Sequence, residues 1–402
     1  MSQLAVANRV TRIQESASGA AAERVRQLRA AGEDILSLTV GEPDFDTPDH
    51  IKQAAVAALD RGDTKYTSVN GTPELQRAIL GRVERHTGVR YATNELTVGV
   101  GGKQVIFMAL MATLDAGDEV IVPAPYWVSY PDMVLANDGT PVIVEATEDN
   151  GFKLTPEQLR SAITDKTRWL VLNTPSNPTG AVYSRSELAA LADVLADFPQ
   201  VWVLTDEIYD EIYFGDGKVV SLVEAAPALR DRTFLVNGVS KAYAMTGWRI
   251  GYGVGPAVLV GAINKLLSQI SSCPAAVSQA AAAAALDGDQ SFIPETVAVY
   301  RRRRDLCVEG FGSIEGLSCS APDGAFYLYI NCSGVIGKVT PTGVRLDDDQ
   351  AVTLYLLEEA KVAAVQGSAY GLSPYFRISF ATDDETLHTA IEAVRAAVAK
   401  LR

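Results

Sequence analysis

The stretch NGVSKAYAMTGWRIGYG, residues 237–253, follows the apolar run TFLV and is dense in small side chains. It carries two cations, Lys241 and Arg249, eight positions apart. A lysine ordinarily sits at the surface, so one placed where an apolar strand ends, among Gly, Ser, Ala and Val, asks for a reason. Outward from this stretch, from about residue 95 to 270, similar apolar runs recur: ELTVGVG, DEVIVPAP, PVIVEA, RWLVLNTP, VWVLTDEIY and WRIGYGVG. Their Val, Ile, Leu and Trp content suits strands covered on both faces. Helix candidates such as KQVIFMALMATL and SRSELAALADVLADF lie between them. This alternation predicts an α/β fold with a mainly parallel, doubly wound sheet.

After residue 300 the pattern changes to a long helix, short strands (AFYLYIN, FRISFA) and a final amphipathic helix. A smaller α+β domain is expected there. ILSLTVGEPDFDTPDH reads as the crossing from an N-terminal arm into the large domain. The expected division is 1–45 for the arm and part of the small domain, 46–297 for the large domain and 298–402 for the C-terminal domain. AAVSQAAAAAALDG reads as a structural helix that stops at Asp-Gly.

Bulk properties narrow the classes. A chain of 402 residues exceeds the usual size of one core. Hydrophobic content of 48% with 21% charged residues describes a globular protein. A net charge of −14 disfavours nucleic acid and anionic membranes, which call for clustered Lys and Arg. The single basic run, RRRR at 301–304, is expected on a solvated helix face or at a subunit contact. Cys273, Cys307, Cys319 and Cys332 form no C-x-x-C pair and read as free thiols of a reducing compartment. The N-terminus shows no apolar signal core, and no membrane-length apolar run occurs. The expectation is a soluble, cytoplasmic protein.

Ligands of open α/β sheets bind beyond the carboxyl ends of the strands. The residues just after the apolar runs are Gly99–Gln104 opening a helix, Tyr126 and Trp127, Ser176–Gly180, Asp206, Glu207 and Tyr209, and Ser240 with Lys241. GVGGKQ is half of a dinucleotide fingerprint, but Gln104 stands where a third glycine would be, and the next strand ends in PAP rather than an acid. The turn still suits a phosphate, because free N–H groups at a helix start bind anions. A phosphate together with a lysine, an aspartate and an Asn/Tyr pair fits pyridoxal phosphate: the amine condenses with its aldehyde, Asp holds the pyridinium proton, and Arg249 can pair with the phosphate. His50, His86 and His388 are scattered, with none at a strand end, so neither a histidine triad nor a metal site is expected.

NPTG (177–180), DEIY (206–209) and SKAYAMTGWRIGY (240–252) resemble the signatures of class I aminotransferases of pyridoxal-phosphate fold type I. GEPDFDTP (41–48), KYTSVNGTPELQRAI (65–79), GGKQ (101–104), PAPYWVSYP (123–131) and YFRISFAT (375–382) are similar to the bacterial aspartate aminotransferase subgroup. The resemblance runs over nearly the whole chain. It implies that Lys241 is the Schiff-base lysine and proton shuttle, that Asp206 pairs with the pyridinium nitrogen, and that Asn177 and Tyr209 hydrogen-bond the phenolic oxygen. It further implies that Trp127 stacks on the ring, and that backbone amides of Gly102, Lys103 and Gln104, with Ser240 and Arg249, take the phosphate. Tyr66 is expected to reach the phosphate of a neighbouring subunit, which makes a homodimer part of the site. Arg377 is expected to clamp the substrate α-carboxylate, with Gly41, Asn177 and Trp127 beside it.

The resemblance also implies that Lys103 and a hydroxyl from an N-terminal KPSAT stretch contact a distal carboxylate. Here IQESASGAA places Gln14 at the lysine of that stretch and Ser18 at its threonine. The expected reaction is transamination between L-aspartate and 2-oxoglutarate. Alternatives are another donor (aromatic, alanine or prephenate-type) or a lyase or decarboxylase on the same scaffold. A non-catalytic sensing module is disfavoured, because the chain is expected to begin near the family's own N-terminus.

Overall fold

A computed structural model of the chain describes residues 6–402. Twelve strands occur along it: β1 (Leu36–Ser37), β2 (Leu96–Gly99), β3 (Glu119–Ala124), β4 (Thr140–Glu145), β5 (Thr167–Asn173), β6 (Trp202–Asp206), β7 (Thr233–Gly238), β8 (Gly251–Val254), β9 (Tyr327–Asn331), β10 (Val362–Ala363), β11 (Val365–Gln366) and β12 (Tyr375–Ser379). Seven of them form one sheet in the order β2-β8-β7-β6-β5-β3-β4. The pairs from β7 through β4 are parallel, and β8 runs antiparallel to both β7 and β2. The fold is α/β, with a mixed, mainly parallel central sheet.

The central strands β6, β7 and β8 are buried along almost their whole length, as their near-continuous apolar sequences require. Helices cover both faces. Gly102–Thr113 and Ala257–Ile270 pack through Val105, Ile106, Leu259 and Ile263 on one side, and Arg185–Ala196 packs through Leu188, Leu191 and Leu195 on the other. Local signals set several helix starts. Ser184 accepts from the Glu187 N–H while Glu187 accepts from Ser184, and Asp383 caps Asp384–Val398.

A second core gathers β9, β11 and β12, antiparallel in the order β11-β12-β9, with the helices Phe292–Gly312, Asp349–Glu359 and Asp384–Val398. β1 pairs in parallel with β10, so the segment after the helix Ala17–Ala30 is tied to the C-terminal part of the chain. From there Gly41–Pro48 crosses back toward the large sheet.

The run 301–304 departs from the expected solvated face. Arg303 is 7% exposed and donates to Asp44 at 2.9 Å and to Asp384 at 3.1 Å. Its guanidinium also lies over the rings of Phe45 and Tyr300. A long cationic side chain can be buried when planar donors meet two carboxylates, and periodicity alone does not reveal those partners. All four cysteines are free thiols, with Cys307 and Cys332 buried. Among the described residues no helix is long and apolar enough to cross a membrane.

Candidate active site

The parallel strands deliver their C-terminal residues to one edge of the sheet. The register sets Asn173 of β5 beside Asp206 of β6, and Asp206 beside Val236 of β7. Asn173 donates from Nδ2 to the Asp206 carbonyl at 2.9 Å and accepts the Asn177 N–H at 2.8 Å, which folds the 174–180 turn back over the strand ends. Beyond this edge lies a cavity of about 250 Å3. The structure brings Lys241, Asp206, Tyr209, Asn177, Ser240, Arg249, Trp127, Gly102, Lys103, Gly41, Ser18 and Arg377 together around it.

Lys241 sits in the turn that follows β7, and its Nζ donates to the Gly41 carbonyl at 2.6 Å. Burial pulls its pKa down to about 8, with Arg249 and Arg377 adding repulsion while Glu42 and Asp206 oppose the shift. Asp206 is 6% exposed, and burial raises its pKa to about 6 against the Tyr130 hydroxyl and the Ile208 N–H that stabilise its anion. Those bonds are 2.7 Å from Tyr130 and 3.2 Å from Ile208.

The cavity takes in the start of the helix Gly102–Thr113, whose first N–H groups have no partner within the helix. Gly101 precedes it at φ 86°, and any Cβ there would collide with the Arg249 guanidinium. A Cβ at Gly251 would run into the Gly101–Gly102 backbone. These two glycines let the strand β8, the helix start and Arg249 converge on one small volume. Arg249 itself adopts the left-handed region at φ 59° and donates to the Thr246 carbonyl at 2.8 Å.

Arg377, also on the cavity, is 2% exposed. It donates from Nη1 to Asn177 Oδ1 at 2.9 Å and from Nη2 to the Thr39 carbonyl at 2.6 Å, and its Nε has no partner among the described residues. The guanidinium is stacked over Tyr327 at 4.4 Å and Tyr370 at 5.2 Å. Lys103 lies 4.8 Å from the Trp127 ring, and Ser18 Oγ is 3.3 Å from the Tyr370 hydroxyl. Burial, with Arg249 nearby, lowers the Lys103 pKa.

Two expected residues do not join the cavity. Gln104 gives its backbone N–H to the Gly101 carbonyl at 3.1 Å, and its side chain accepts from Val100 N and donates to Ser271, so it braces the glycine turn and has no free amide for a phosphate. Tyr66 lies at the surface, 90% exposed, in a groove with Arg61 and Lys65. Sequence reasoning passed over Tyr130, Asn173 and Tyr327, which line the cavity. All three stand in stretches already singled out, yet a tyrosine inside an apolar run carries no mark of its partner.

Glu207 points away from this cavity into a second buried polar group. Its Oε1 accepts from Thr205 and Ser221, its Oε2 has no partner among the described residues, and burial raises its pKa to about 7. His86, Glu207 and Asp210 present ligand-type atoms within 4.8 Å of one another. Asp210 Oδ2 already accepts from Arg82 at 2.5 Å and Asn237 at 2.9 Å, so this group holds its own cation, the Arg82 guanidinium.

The donor set at the cavity matches pyridoxal phosphate: an amine of lowered pKa, a buried carboxylate, hydroxyl and amide groups between them, and a glycine cradle beside an arginine. Fold and site together define an enzyme that works through an aldehyde cofactor anchored by its phosphate. The chain belongs to the family "Aminotransferase class I and II", which matches residues 33–394. It is 52% identical over 392 residues to an aspartate/prephenate aminotransferase of Cereibacter sphaeroides, covering 98% of each chain. It is 50% identical to an aspartate aminotransferase of Rhizobium meliloti, covering 94% of this chain and 92% of that one. A crystal structure of the aspartate aminotransferase from Rhizobium meliloti superposes with a TM-score of 0.97 at 48% identity, covering 100% of both chains. The Thermus thermophilus aspartate aminotransferase with maleate gives 0.90 at 39% identity, covering 98% of this chain and 100% of that one. The protein is therefore a pyridoxal-phosphate-dependent aminotransferase, which moves an amino group between an amino acid and a 2-oxo acid.

Proposed function

We propose that the substrates are L-aspartate and 2-oxoglutarate. The observation that carries this reading is the placement of two cations on one cavity with Lys241: Arg377, buried and held by Asn177 and Thr39, and Lys103, over Trp127. Each can neutralise one carboxylate of a dicarboxylic substrate.

Bound in this cavity, pyridoxal phosphate supplies an aldehyde that condenses with amines and a protonated ring that draws off the electron pair left when the substrate Cα–H bond breaks. Lys241 Nζ would hold the cofactor through its aldehyde and, as a free amine, would be the base that takes up and passes on the substrate Cα proton. A pKa near 8 leaves part of this amine neutral, and so basic, at physiological pH. Asp206 holds the proton on the ring nitrogen, with Tyr130 keeping the carboxylate oriented and ionised. Tyr209 and the Asn177 amide donate to the ring oxygen. Gly102, Lys103 N–H, Ser240 and Arg249 hold the phosphate, while Ser18 supplies a hydroxyl beside the distal carboxylate. Tyr66, exposed on the surface, is read as reaching across a homodimer to the phosphate of the partner site. The large sheet is read as the 46–297 domain and the β9–β11–β12 core as the small one.

Prephenate is a second acceptor to be tested, supported by the name of the Cereibacter relative. The deciding experiment adds L-aspartate to the holoenzyme and follows its visible absorbance. Loss of the visible band, reversed by 2-oxoglutarate, is the expected result. A band unmoved by aspartate but bleached by an aromatic amino acid would overturn the assignment, and recovery with prephenate alone would replace the acceptor.

A further inference from the structure

Tyr327 opens strand β9, is completely buried, and reaches the cavity from the smaller core. Its hydroxyl is 2.8 Å from that of Tyr209, and among the described residues this is the one hydrogen-bond partner of either hydroxyl. The neighbouring backbone is Gly41, where an added Cβ would stand 2.7 Å from Tyr327 Oη, so no side chain fits there. A phenol has a single proton and can also accept. Of two hydroxyls bonded only to each other, one proton lies in the shared bond and the other is free to point elsewhere. Tyr209 lines the cavity, and on the reading above it must donate to an anionic ring oxygen.

We propose that Tyr327 is a positioning residue: it donates its proton to Tyr209 Oη and so commits the Tyr209 proton to the cavity, toward the ring oxygen of the bound cofactor. The inference rests on the transaminase reading of the cavity. With the Tyr209 proton given to the ring oxygen, the shared bond takes the Tyr327 proton and both hydroxyls are satisfied, whereas the reverse direction would spend the Tyr209 proton on Tyr327 and deprive the ring oxygen of this donor. A hydroxyl that accepts a hydrogen bond is also a stronger donor. Tyr327 thus strengthens the bond that Tyr209 makes. The same ring supports the Arg377 guanidinium at 4.4 Å, so one side chain orients both the cofactor's hydroxyl donor and the carboxylate clamp. Gly41 must lack a side chain for the arrangement to exist.

The test is the pH titration of the visible absorbance of the holoenzyme, wild type against Tyr327→Phe, without substrate. The aromatic ring, and with it the Arg377 stack, is kept. Weakening the Tyr209 donor destabilises the ring-oxygen anion, so the apparent pKa of the band is expected to rise by about half a unit. In a Tyr209→Phe background the same change is expected to have no further effect. A fall in pKa on Tyr327→Phe would show that Tyr209 had been donating to Tyr327, and an unchanged pKa, or additive shifts in the double variant, would show no coupling; either overturns the proposal. Should Tyr327→Phe fold poorly, 3-fluorotyrosine installed at 327 keeps the ring and makes a stronger donor. The pKa must then move downward, and any other result refutes the assignment. A wild-type holoenzyme with no visible band would instead refute the transaminase reading itself.

Discussion

Arg377 Nη1 donates to Asn177 Oδ1 at 2.9 Å, so the Asn177 amide has a defined orientation: its oxygen is bound to the guanidinium and its NH2 is left for the cavity. On the proposed function, the side chain that would hold a substrate carboxylate also fixes the direction of an amide donor on the cavity. Arg377→Lys removes the planar fork and the second bond to the Thr39 carbonyl while keeping the charge. The expected result is a fall of about 100-fold in kcat/KM for aspartate, on the order of 3 kcal/mol, carried mainly by KM. Steady-state kinetics with both substrates checks it, and a loss under threefold would remove Arg377 from carboxylate binding.

Lys103 lies over Trp127, on the same cavity as Arg377. Lys103→Ala is expected to cut kcat/KM for aspartate and 2-oxoglutarate by about 30-fold or more, because a distal carboxylate loses its partner, and to leave alanine and phenylalanine within about threefold. Comparing the four substrates decides the matter. Equal losses for all of them would mean that Lys103 serves the cofactor and not substrate selection.

The lowered pKa of Lys241 predicts how the apoenzyme takes up its cofactor. A neutral amine is needed for attack on the aldehyde, so the rate should rise with pH and level off above about 8. Stopped-flow absorbance after mixing apoenzyme with pyridoxal phosphate measures this. A midpoint near 10 would show an amine exposed to water, and Lys241→Ala should develop no visible band at any pH.

Glu207 gives a pH signature in stability that is separate from activity. Its carboxyl titrates near 7 in the folded chain against an ordinary value of 4.5, because its Oε2 is buried without a partner. A raised acid pKa means that the folded state keeps a proton which the unfolded state releases. Stability is favoured below about 4.5 and falls as pH rises to about 7, by at most about 3 kcal/mol. Glu207→Gln cannot ionise, so its Tm relative to wild type should climb across that window and stay level above it. A difference in Tm that is flat from pH 5 to 8 would show that Glu207 is already ionised in the folded chain.

Arg303 links the crossing segment to two helices of the smaller core through Asp44 and Asp384. Arg303→Ala removes two bonds from a buried guanidinium to partly exposed carboxylates and is expected to cost about 1–2 kcal/mol, read as a lower Tm or a lower denaturation midpoint. Arg302→Ala, whose ion pair to Asp384 is exposed, should cost under about 1 kcal/mol. Equal effects would contradict the difference in burial.

Much of this site could be read without coordinates, and the reason is local. Strand-forming runs end in a few residues whose backbone must leave the sheet on the same side, so Asp206, Lys241 and the Gly101–Gly102 turn are placed by periodicity and by the parallel topology it implies. The mainly parallel order of strands follows from the same alternation of runs and helices. Hydrogen-bond partners far apart in the chain were a different matter. Nothing in the residues around Tyr130, Tyr327 or Arg303 announces Asp206, Tyr209 or Asp44, because those contacts join segments separated by 76, 118 and 259 positions. Gln104 shows the converse: a position next to a glycine turn looked free to bind a phosphate, yet helix geometry sends its N–H back to Gly101. Apolar period and turn chemistry act over a few residues and so are written along the chain. Which proton meets which acceptor is decided only when packing excludes water and brings distant groups within 3 Å of one another.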